Sequence, residues 1–280
     1  MLSCDRLFAR PVHGRALAAV VGGLLLSTAA VAGTLTFKDP IGDDKGPGNY
    51  TYPTDAVYAS GSFDLTEFKV DWSGSSAEFN VSVNDKLKDP WGMGVGFAVQ
   101  MVFIFIDKDG VEGSGHTEGL PGLNIMFAPK SAWEKVIILS PQPQTRVLAE
   151  IRAKVDPKIA KDVIVPRRTS GSGKTITASV KLDELGGGDP ATWGYQVVMQ
   201  SNEGFPDKAD LLTRKVNEFE GQHRFGGGND GNCDPHVMDI LAGKGEGKPE
   251  EAQLQYDMLK YECGANGESV KTATLSVVRK

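Results

Sequence analysis

Hydrophobic and polar residues alternate with a period of two along much of the chain. This alternation is typical of β-strands that have one buried and one exposed face. The clearest segments are FDLTEFKVDW (63–72), AEFNVSVND (77–85), TRVLAEIRAKV (145–155) and TITASVKL (175–182). Two others are nearly continuous in apolar residues, as strands covered on both faces would be: VGFAVQMVFIFID (95–107) and TWGYQVVMQS (192–201).

Clusters of Gly, Pro, Asn and Asp separate these strands at short intervals. Short strands with frequent turn signals favour a sandwich or barrel over strands that alternate with long helices. We therefore expect an all-β fold, a mostly antiparallel β-sandwich, and a single domain over residues 33–280.

Helical signal is confined to two places. PHVMDILAG (235–243) predicts a short helix with Asp234 as its N-cap and Gly243 at its end, and KPEEAQLQYDMLKYE (248–262) places Pro249 before a glutamate-rich first turn. The chain returns to β-structure at TATLSVVRK (272–280). We expect one or two short helices near the C-terminus.

Residues 1–32 have the pattern of a secretory signal peptide. Three arginines precede the apolar run ALAAVVGGLLLSTAAVA, which ends on the small-x-small sequence Ala30-Val31-Ala32. The alternative is an N-terminal membrane anchor, since the run reaches about the minimum span length. We expect cleavage, loss of Cys4 with the leader, and a secreted, periplasmic or cell-surface protein without a transmembrane segment in its mature form.

The charge balance argues against nucleic-acid binding. Removal of the leader changes 30 basic and 36 acidic residues to 27 and 35, so the mature chain is more acidic. An acidic chain without clustered Lys and Arg is a poor ligand for a phosphate backbone. The composition suits hard cations or neutral ligands.

Two cysteines remain after the leader, Cys233 and Cys263. In an exported chain such a pair predicts a disulfide. The alternative is two buried thiols, and a zinc site would need more ligands than these cysteines and scattered histidines supply.

The stretch DPIGDDKGPGNYTYP (39–53) has the composition of a cation-binding loop. Calcium needs several carboxylate and carbonyl oxygens on a backbone that is free to curl. Asp39, Asp43 and Asp44 supply the carboxylates, and the glycines and prolines shape the bends. The alternative is a solvated acidic turn.

A second acidic stretch, FGGGNDGNCDPHVMD (225–239), offers Asp230, Asp234 and Asp239 beside three glycines. It would hold its own cation or complete the first site from the other end of the chain. For Asp234 alone we favour helix capping over metal ligation.

Two other loops resemble known motifs but fail their requirements. DKDGVEGSGHTE (107–118) has Glu112 where a helix-loop-helix calcium loop needs glycine, and it follows a strand. SGSGKT (170–175) leads into a strand and lacks a following helix to receive phosphate. We expect both to be hairpin connections, with a looser cation site still open at the first.

Aromatic residues near predicted loops are candidate platforms for sugar rings, whose C–H faces pack on flat apolar surfaces. The candidates are Trp91, Trp133, Tyr50 and Tyr52. For each of them core packing is the alternative role.

Catalytic motifs are hard to assemble from this sequence. It contains four histidines and lacks a Gly-x-Ser-x-Gly elbow or a metalloprotease helix, although paired carboxylates for glycosidic cleavage remain open. Covalent haem would need a Cys-x-x-Cys-His motif. Non-covalent haem b held by a methionine and a histidine is an alternative, with these candidate ligands: Met101, Met199, His116 and His223.

Five blocks occur in an order and spacing that resemble the C-terminal, DOMON-like module of bacterial glucodextranases. They are DPIGDDKGPGNYTYPTD, GSFDLTEFKV, DPWGMGVGFAVQMVFIFID, LPGLNIMFAP with AWEKVIIL, and HRFGGGNDGNCDPHVMDILA. The resemblance runs from Asp39 to about Leu241, and the tail, with EEAQLQYDMLKYE followed by TATLSVV, is similar to the closing segment of that family.

The resemblance implies a DOMON-type sandwich outside the cytoplasm that binds carbohydrate or attaches to the cell surface. Relatives in the wider superfamily hold sugars or haem between their sheets. The resemblance also implies structural calcium at the matching acids, Asp39, Asp43, Asp44, Asp230 and Asp234, and it matches the family tryptophans at Trp91 and Trp133. The cysteine pair has the character of a local addition.

We therefore expect a secreted, non-catalytic glycan-binding or surface-attachment module with structural calcium, because the family's helical catalytic domain has no counterpart in this sequence. The alternatives are a haem-binding electron-transfer module and a structural or assembly subunit of an extracellular complex.

Overall fold

The computed structural model describes the backbone of residues 30–280 and the side chains of residues 32–280. The predicted leader therefore lies outside the described residues, apart from positions 30–32 at the start of the first strand. Within the described part of the chain, no helix is both long and apolar enough to cross a membrane.

Most of the described chain is β-structure. The strands in chain order are β1 (Ala30–Lys38), β2 (Leu65–Gly74), β3 (Ser76–Val83), β4 (Gln100–Asp107), β5 (Ile125–Phe127), β6 (Lys135–Leu139), β7 (Val163–Ile164), β8 (Thr169–Ser172), β9 (Thr175–Lys181), β10 (Gly194–Ser201), β11 (Asp239–Ile240), β12 (Glu262–Cys263), β13 (Ser269–Lys271) and β14 (Ala273–Leu275). The helices are α1 (Gln144–Lys154), α2 (Pro157–Ala160) and α3 (Pro249–Met258).

Two five-stranded sheets form the sandwich. The first has the order β1-β2-β3-β9-β8 and the second β11-β10-β4-β6-β7. Their neighbouring strands are antiparallel except for β6 and β7, and the small β5–β14 pair is also parallel. The predicted all-β sandwich is thus confirmed, as is the helix near the C-terminus.

Strand β4 shows why this segment is apolar at every position. Val102, Ile104 and Ile106 pack in a core cluster shared with the facing strands β2, β3 and β9. The alternate residues Phe103 and Phe105 belong to a second cluster, on the outer face of the same sheet, that contains residues of α1. Both faces of β4 are therefore covered by protein, as its continuous hydrophobic pattern predicts.

The prediction of a strand at 145–155 is wrong, because this segment is helix α1. Its alternating pattern also contains the helical spacing of Val147 and Ile151, which are the two buried residues of the helix. Arg, Leu, Ala, Glu and Lys favour helix, and an ion pair between Glu150 and Lys154 lies at the i, i+4 spacing.

The prediction of a short helix at 235–243 is also wrong. The backbone N–H groups of Met238 and Leu241 donate to carbonyl oxygens of β10, and the residues between them form β11. This apolar run is fully buried, and a short buried strand cannot be distinguished from a helix by periodicity. Asp234 therefore caps no helix.

One end of the sandwich is closed by a third hydrophobic cluster that includes Tyr58, Phe63 and Phe225. This cluster joins the first acidic loop to the second one. The predicted disulfide is confirmed, since Cys233 and Cys263 are bonded with their Cα atoms 5.4 Å apart. It ties the second acidic loop to β12.

Candidate functional site

Three carboxylates from distant parts of the chain meet at this end of the sandwich. One oxygen from each of Asp39, Asp43 and Asp239 lies within 4.8 Å of the others. We call these three residues the acidic cage. The geometry brings Asp239, from the second acidic loop, to two aspartates of the first loop.

The strands of both sheets place these residues. Asp39 directly follows β1, and its N–H donates to the carbonyl of Thr66 at the start of β2. Asp239 lies in β11, opposite Met199 of β10. Asp43 reaches the cage through a bend at Gly42, whose positive φ of 92° suits glycine.

Helix α3 holds the cage from the other side. Gln255 donates from Nε2 to the carbonyl of Asp43 at 2.6 Å, and its Oε1 accepts from the N–H of Ile240 at 2.8 Å. In the first turn of the helix, Glu251 accepts from four backbone N–H groups of the preceding loop. These contacts fix the loops around the cage without supplying a positive charge.

The cage carboxylates are buried and largely unpaired. Both carboxylate oxygens of Asp39 and both of Asp43 lie buried and have no hydrogen-bond partner among the residues that the structure describes. Asp239 is fully buried and, among the described residues, accepts only from the backbone N–H groups of Leu65 and Ile240. In the part of the chain that the structure describes, none of the ion pairs involves these residues.

The pKa values reflect this arrangement. Burial, and then the charge of Asp43, hold the pKa of Asp39 well above its usual range. Burial raises the pKa of Asp43 to about 7. Burial and the charge of Asp39 likewise raise the pKa of Asp239. Buried like charges are costly unless a cation accompanies them, so the donor set fits a hard divalent ion that prefers oxygen ligands.

Asp64 is a neighbour of the cage that the sequence analysis did not single out. Its Oδ2 accepts from Gly42 N–H and from Asn84, each at 3.0 Å, while its Oδ1 is buried without a partner. Burial raises its pKa to about 6. Asp64 stands just before β2, in the alternating pattern FDLTEFKVDW. An acid at an inward-facing position of that pattern was the feature of the sequence that could have identified it.

The other three predicted metal ligands lie outside the cage. Asp44 accepts a hydrogen bond from the hydroxyl of Tyr52. Asp230 is exposed and accepts from Glu218 N–H at 3.0 Å. Asp234 is fully buried next to the hydroxyl of Tyr50, and burial raises its pKa to about 6.

An aromatic pocket lies beside the cage loop. It measures about 360 Å³, and its lining includes Asp44, Tyr52 and Tyr58. The Tyr58 hydroxyl is buried and has no hydrogen-bond partner within residues 32–280. The ring of Trp91, which is 38% exposed, meets the Tyr58 ring edge-on at 6.3 Å and extends the aromatic surface.

The aromatic residues predicted to form a sugar platform lie in different environments. Tyr52 and Tyr50 both line the pocket, although Tyr50 is buried and donates to the carbonyl of Pro235 at 2.7 Å. Trp133 is fully buried and donates to the carbonyl of Glu118, so its ring is not available to a sugar, and that prediction is wrong. Tyr58 was missed, because TDAVYAS gives no sign that its hydroxyl lacks a partner.

The candidate haem ligands do not converge. Met101 and Met199 belong to the clusters on opposite faces of the second sheet. The ring of His116 packs on Trp133 and hydrogen-bonds Asp162 at 2.8 Å. His223 is exposed and lies 5.9 Å from the ring of Tyr58.

A second group of acids, Asp107, Asp109 and Glu134, also brings three carboxylate oxygens within 4.8 Å. It lies at the C-terminal end of β4, where the loop predicted as a hairpin connection begins. Here, however, Asp107 pairs with Arg279 at 2.6 Å. This group is therefore neutralised in part by the chain itself.

Comparison with known proteins identifies the family. A search of the curated proteins found no match. A family model described as the C-terminal binding module, SLH-like, of glucodextranase matches residues 34–277, which span both sheets, the acidic cage and the aromatic pocket. This chain therefore belongs to the family of glucodextranase C-terminal, SLH-like binding modules.

Proposed function

We propose that this protein is an exported, non-catalytic module that binds a neutral glycan of the cell surface or its surroundings, with calcium holding the binding loop. The family is described as a binding module, which supports binding rather than catalysis. The observation that carries the proposal is the aromatic pocket beside an acidic cage that has no cation from the chain.

The pocket has the chemistry that sugar rings require. Tyr52, Tyr58 and Trp91 provide aromatic surface for the C–H faces of a ring. Thr51 and Ser60, which are exposed residues of the lining, provide polar groups for sugar hydroxyls. A volume of about 360 Å³ falls in the usual range for small-ligand sites and suits a short stretch of glycan.

Calcium in the cage would support this pocket through the loop they share. Asp43 belongs to the cage, and the next residue, Asp44, lines the pocket and hydrogen-bonds Tyr52. The cation would coordinate Asp39, Asp43 and Asp239, with Asp64 beside them. It would compensate the buried charges and fix the path of residues 39–44.

Affinity electrophoresis in gels containing dextran, together with a glycan array, tests the glycan proposal. We expect dextran or another neutral glycan to retard the protein. Trp91→Ala and Tyr52→Leu should each weaken that binding about 2- to 10-fold, since an aromatic contact contributes about 0.5–1.5 kcal/mol.

Phe205→Ala is the matched control, because Phe205 is 91% exposed and does not line the pocket. It should bind as the unmodified protein does. If both pocket variants bind the glycan as the unmodified protein does, the glycan site is not the aromatic pocket. If no neutral glycan on the array binds the calcium-loaded protein, the glycan proposal is wrong.

A further inference from the structure

A separate cavity of about 440 Å³ opens between the loop at residues 118–126 and the second acidic loop. Its lining includes Glu118, Asn124, Asp210 and Asn232. It shares no lining residue with the aromatic pocket and includes no cage residue. We call it the Asp210 cavity.

Asp210 is a buried carboxylate, and the two lysines near it pair directly with other acids. The residue is 6% exposed, and its Oδ2 lies buried without a hydrogen-bond donor. Two lysines lie nearby but are engaged elsewhere, since Lys154 donates to the backbone carbonyl of Asp210 and Lys215 pairs with Asp207 at 2.8 Å. Burial raises the pKa of Asp210, and the charges of Lys215 and Lys154 offset this only in part.

The cavity lining also presents a hydrogen-bond donor. Nδ1 of the buried His236 accepts from Val216 N–H, so the ring proton lies on Nε2 and is donated to Oδ1 of Asn232 at 2.7 Å. This bond orients the Asn232 amide and leaves its NH₂ group to donate. A ligand in the cavity thus meets both a carboxylate and an amide donor.

Backbone strain is concentrated around this cavity. Among the described residues, three that are not glycine have positive φ: Asn124 at 54°, Leu212 at 48° and Asn232 at 62°. Two of them line the cavity, and Leu212 lies two residues after Asp210. Strained backbone of this kind is found preferentially at functional sites, where the surrounding structure maintains it.

The charges of the lining select the ligand. The cavity includes two carboxylates, Asp210 and Glu118, and neither Lys nor Arg is among its lining residues. We propose that the Asp210 cavity is a second binding site, which takes an amino sugar through its primary ammonium group. The ammonium group would pair with Asp210 in a charge-assisted hydrogen bond, while the ring hydroxyls would meet Asn232 and Glu118.

This inference rests on the proposed function only in taking a glycan as the ligand, because the site itself is distinct. Calorimetric titration with the glucosamine trimer, the N-acetylglucosamine trimer and lysine amide tests it on the full chain. We expect the glucosamine trimer to bind at least about tenfold more tightly than the other two, since hydrogen bonds to charged groups contribute about 1.5–3 kcal/mol.

Asp210→Asn should remove that preference, and Asn232→Ala should weaken binding of the glucosamine trimer. Glu184→Gln is the control, because it deletes an exposed carboxylate that lies outside the cavity lining, and it should retain the preference. Unchanged melting temperatures would show that the variants are folded.

Equal affinity for the glucosamine and N-acetylglucosamine trimers would overturn the inference, as would an unchanged preference in Asp210→Asn. Lysine amide binding as tightly as the trimer would overturn the assignment to a sugar. Trp91→Ala should leave glucosamine binding intact, so this site and the aromatic pocket can fail independently.

Discussion

Two groups of three acids in this protein have similar geometry, but their negative charges are compensated in different ways. In the acidic cage, four oxygens of Asp39 and Asp43 are buried without partners. In the second group, Arg279 pairs with Asp107, while backbone N–H groups of Gly110 and Lys108 donate to Asp107 and Glu134. Proximity of carboxylates alone therefore does not mark a cation site.

The difference lies in where the compensating charge comes from. The second group receives a guanidinium from the last residues of the chain, and Asp109 is open to water. The cage is closed by strands, by the Gly/Pro loop and by α3, which contribute only backbone N–H groups and an amide. Its charge must be removed by protons or balanced by an ion from solution.

The largest expected effect is a loss of stability when calcium is removed. At calcium concentrations about 1,000-fold above the dissociation constant, binding to the folded state alone contributes about 4 kcal/mol, or roughly 10 °C in melting temperature for a chain of this size. Chelation should lower the melting temperature by this order, and calcium but not magnesium should restore it. Differential scanning calorimetry at neutral pH measures the shift.

Two isosteric variants assign that shift to one group of acids. Asp43→Asn should abolish the calcium response and melt at or above the metal-free parent, because it deletes one of several repelling charges. Asp109→Asn should keep the full response. If chelation does not change the melting temperature of the parent protein, the proposal that the cage binds a cation is wrong.

A smaller loss of stability is expected when the second group of acids loses its arginine. Arg279→Met keeps much of the side-chain volume but leaves Asp107 buried and unpaired. Loss of one partner of a buried pair costs about 3–5 kcal/mol, and the partial exposure of Arg279 places this variant at or below the lower limit.

The destabilisation by Arg279→Met should be the same with calcium and with chelator, as urea unfolding in both conditions would show. Lys271→Met, at an exposed lysine in β13, is the control and should change stability little. If calcium restores the stability of Arg279→Met, the two groups differ less than their contacts indicate.

The sandwich was predictable because burial on one or both faces leaves a period of two or a continuous apolar run. The two segments whose secondary structure was predicted wrongly have ambiguous patterns. Residues 145–155 fit both the period of a strand and that of a helix, and residues 235–242 are too few and too apolar to show either period. Tertiary contacts decide such segments, and the sequence pattern does not contain them.

The candidate site was predictable only in part. Asp39 and Asp43 stand in one loop of unusual composition, so local sequence was sufficient to select them. Asp64 stands just before β2 and Asp239 lies in β11, so their approach depends on tertiary structure, including the pairing of β11 with β10. The sequence also could not reveal which aromatic rings would be buried, as Trp133 shows.

The smallest and most diagnostic effect is the dependence of stability on pH. The pKa of Asp43 is raised from its ordinary 3.8 to about 7, so the folded state binds its proton more tightly than the unfolded state does. Its contribution is full below pH 3.8 and is lost as the pH rises through about 7. Metal-free protein should therefore melt several degrees lower at pH 8 than at pH 5, by roughly 2–4 °C for each kcal/mol lost.

Calcium should reverse this trend, because it binds the deprotonated cage and competes with protons. The stabilisation by calcium should accordingly grow as the pH rises, in thermal melts of dialysed protein with and without the ion.

Other acids with raised pKa values, such as Asp234, add a slope of the same sign, so the comparison with Asp43→Asn isolates the cage. That variant should show a flatter metal-free profile, while Asp109→Asn should follow the parent. A metal-free melting temperature that increases from pH 5 to pH 8 would mean that the cage holds its charges without help, as the second group does.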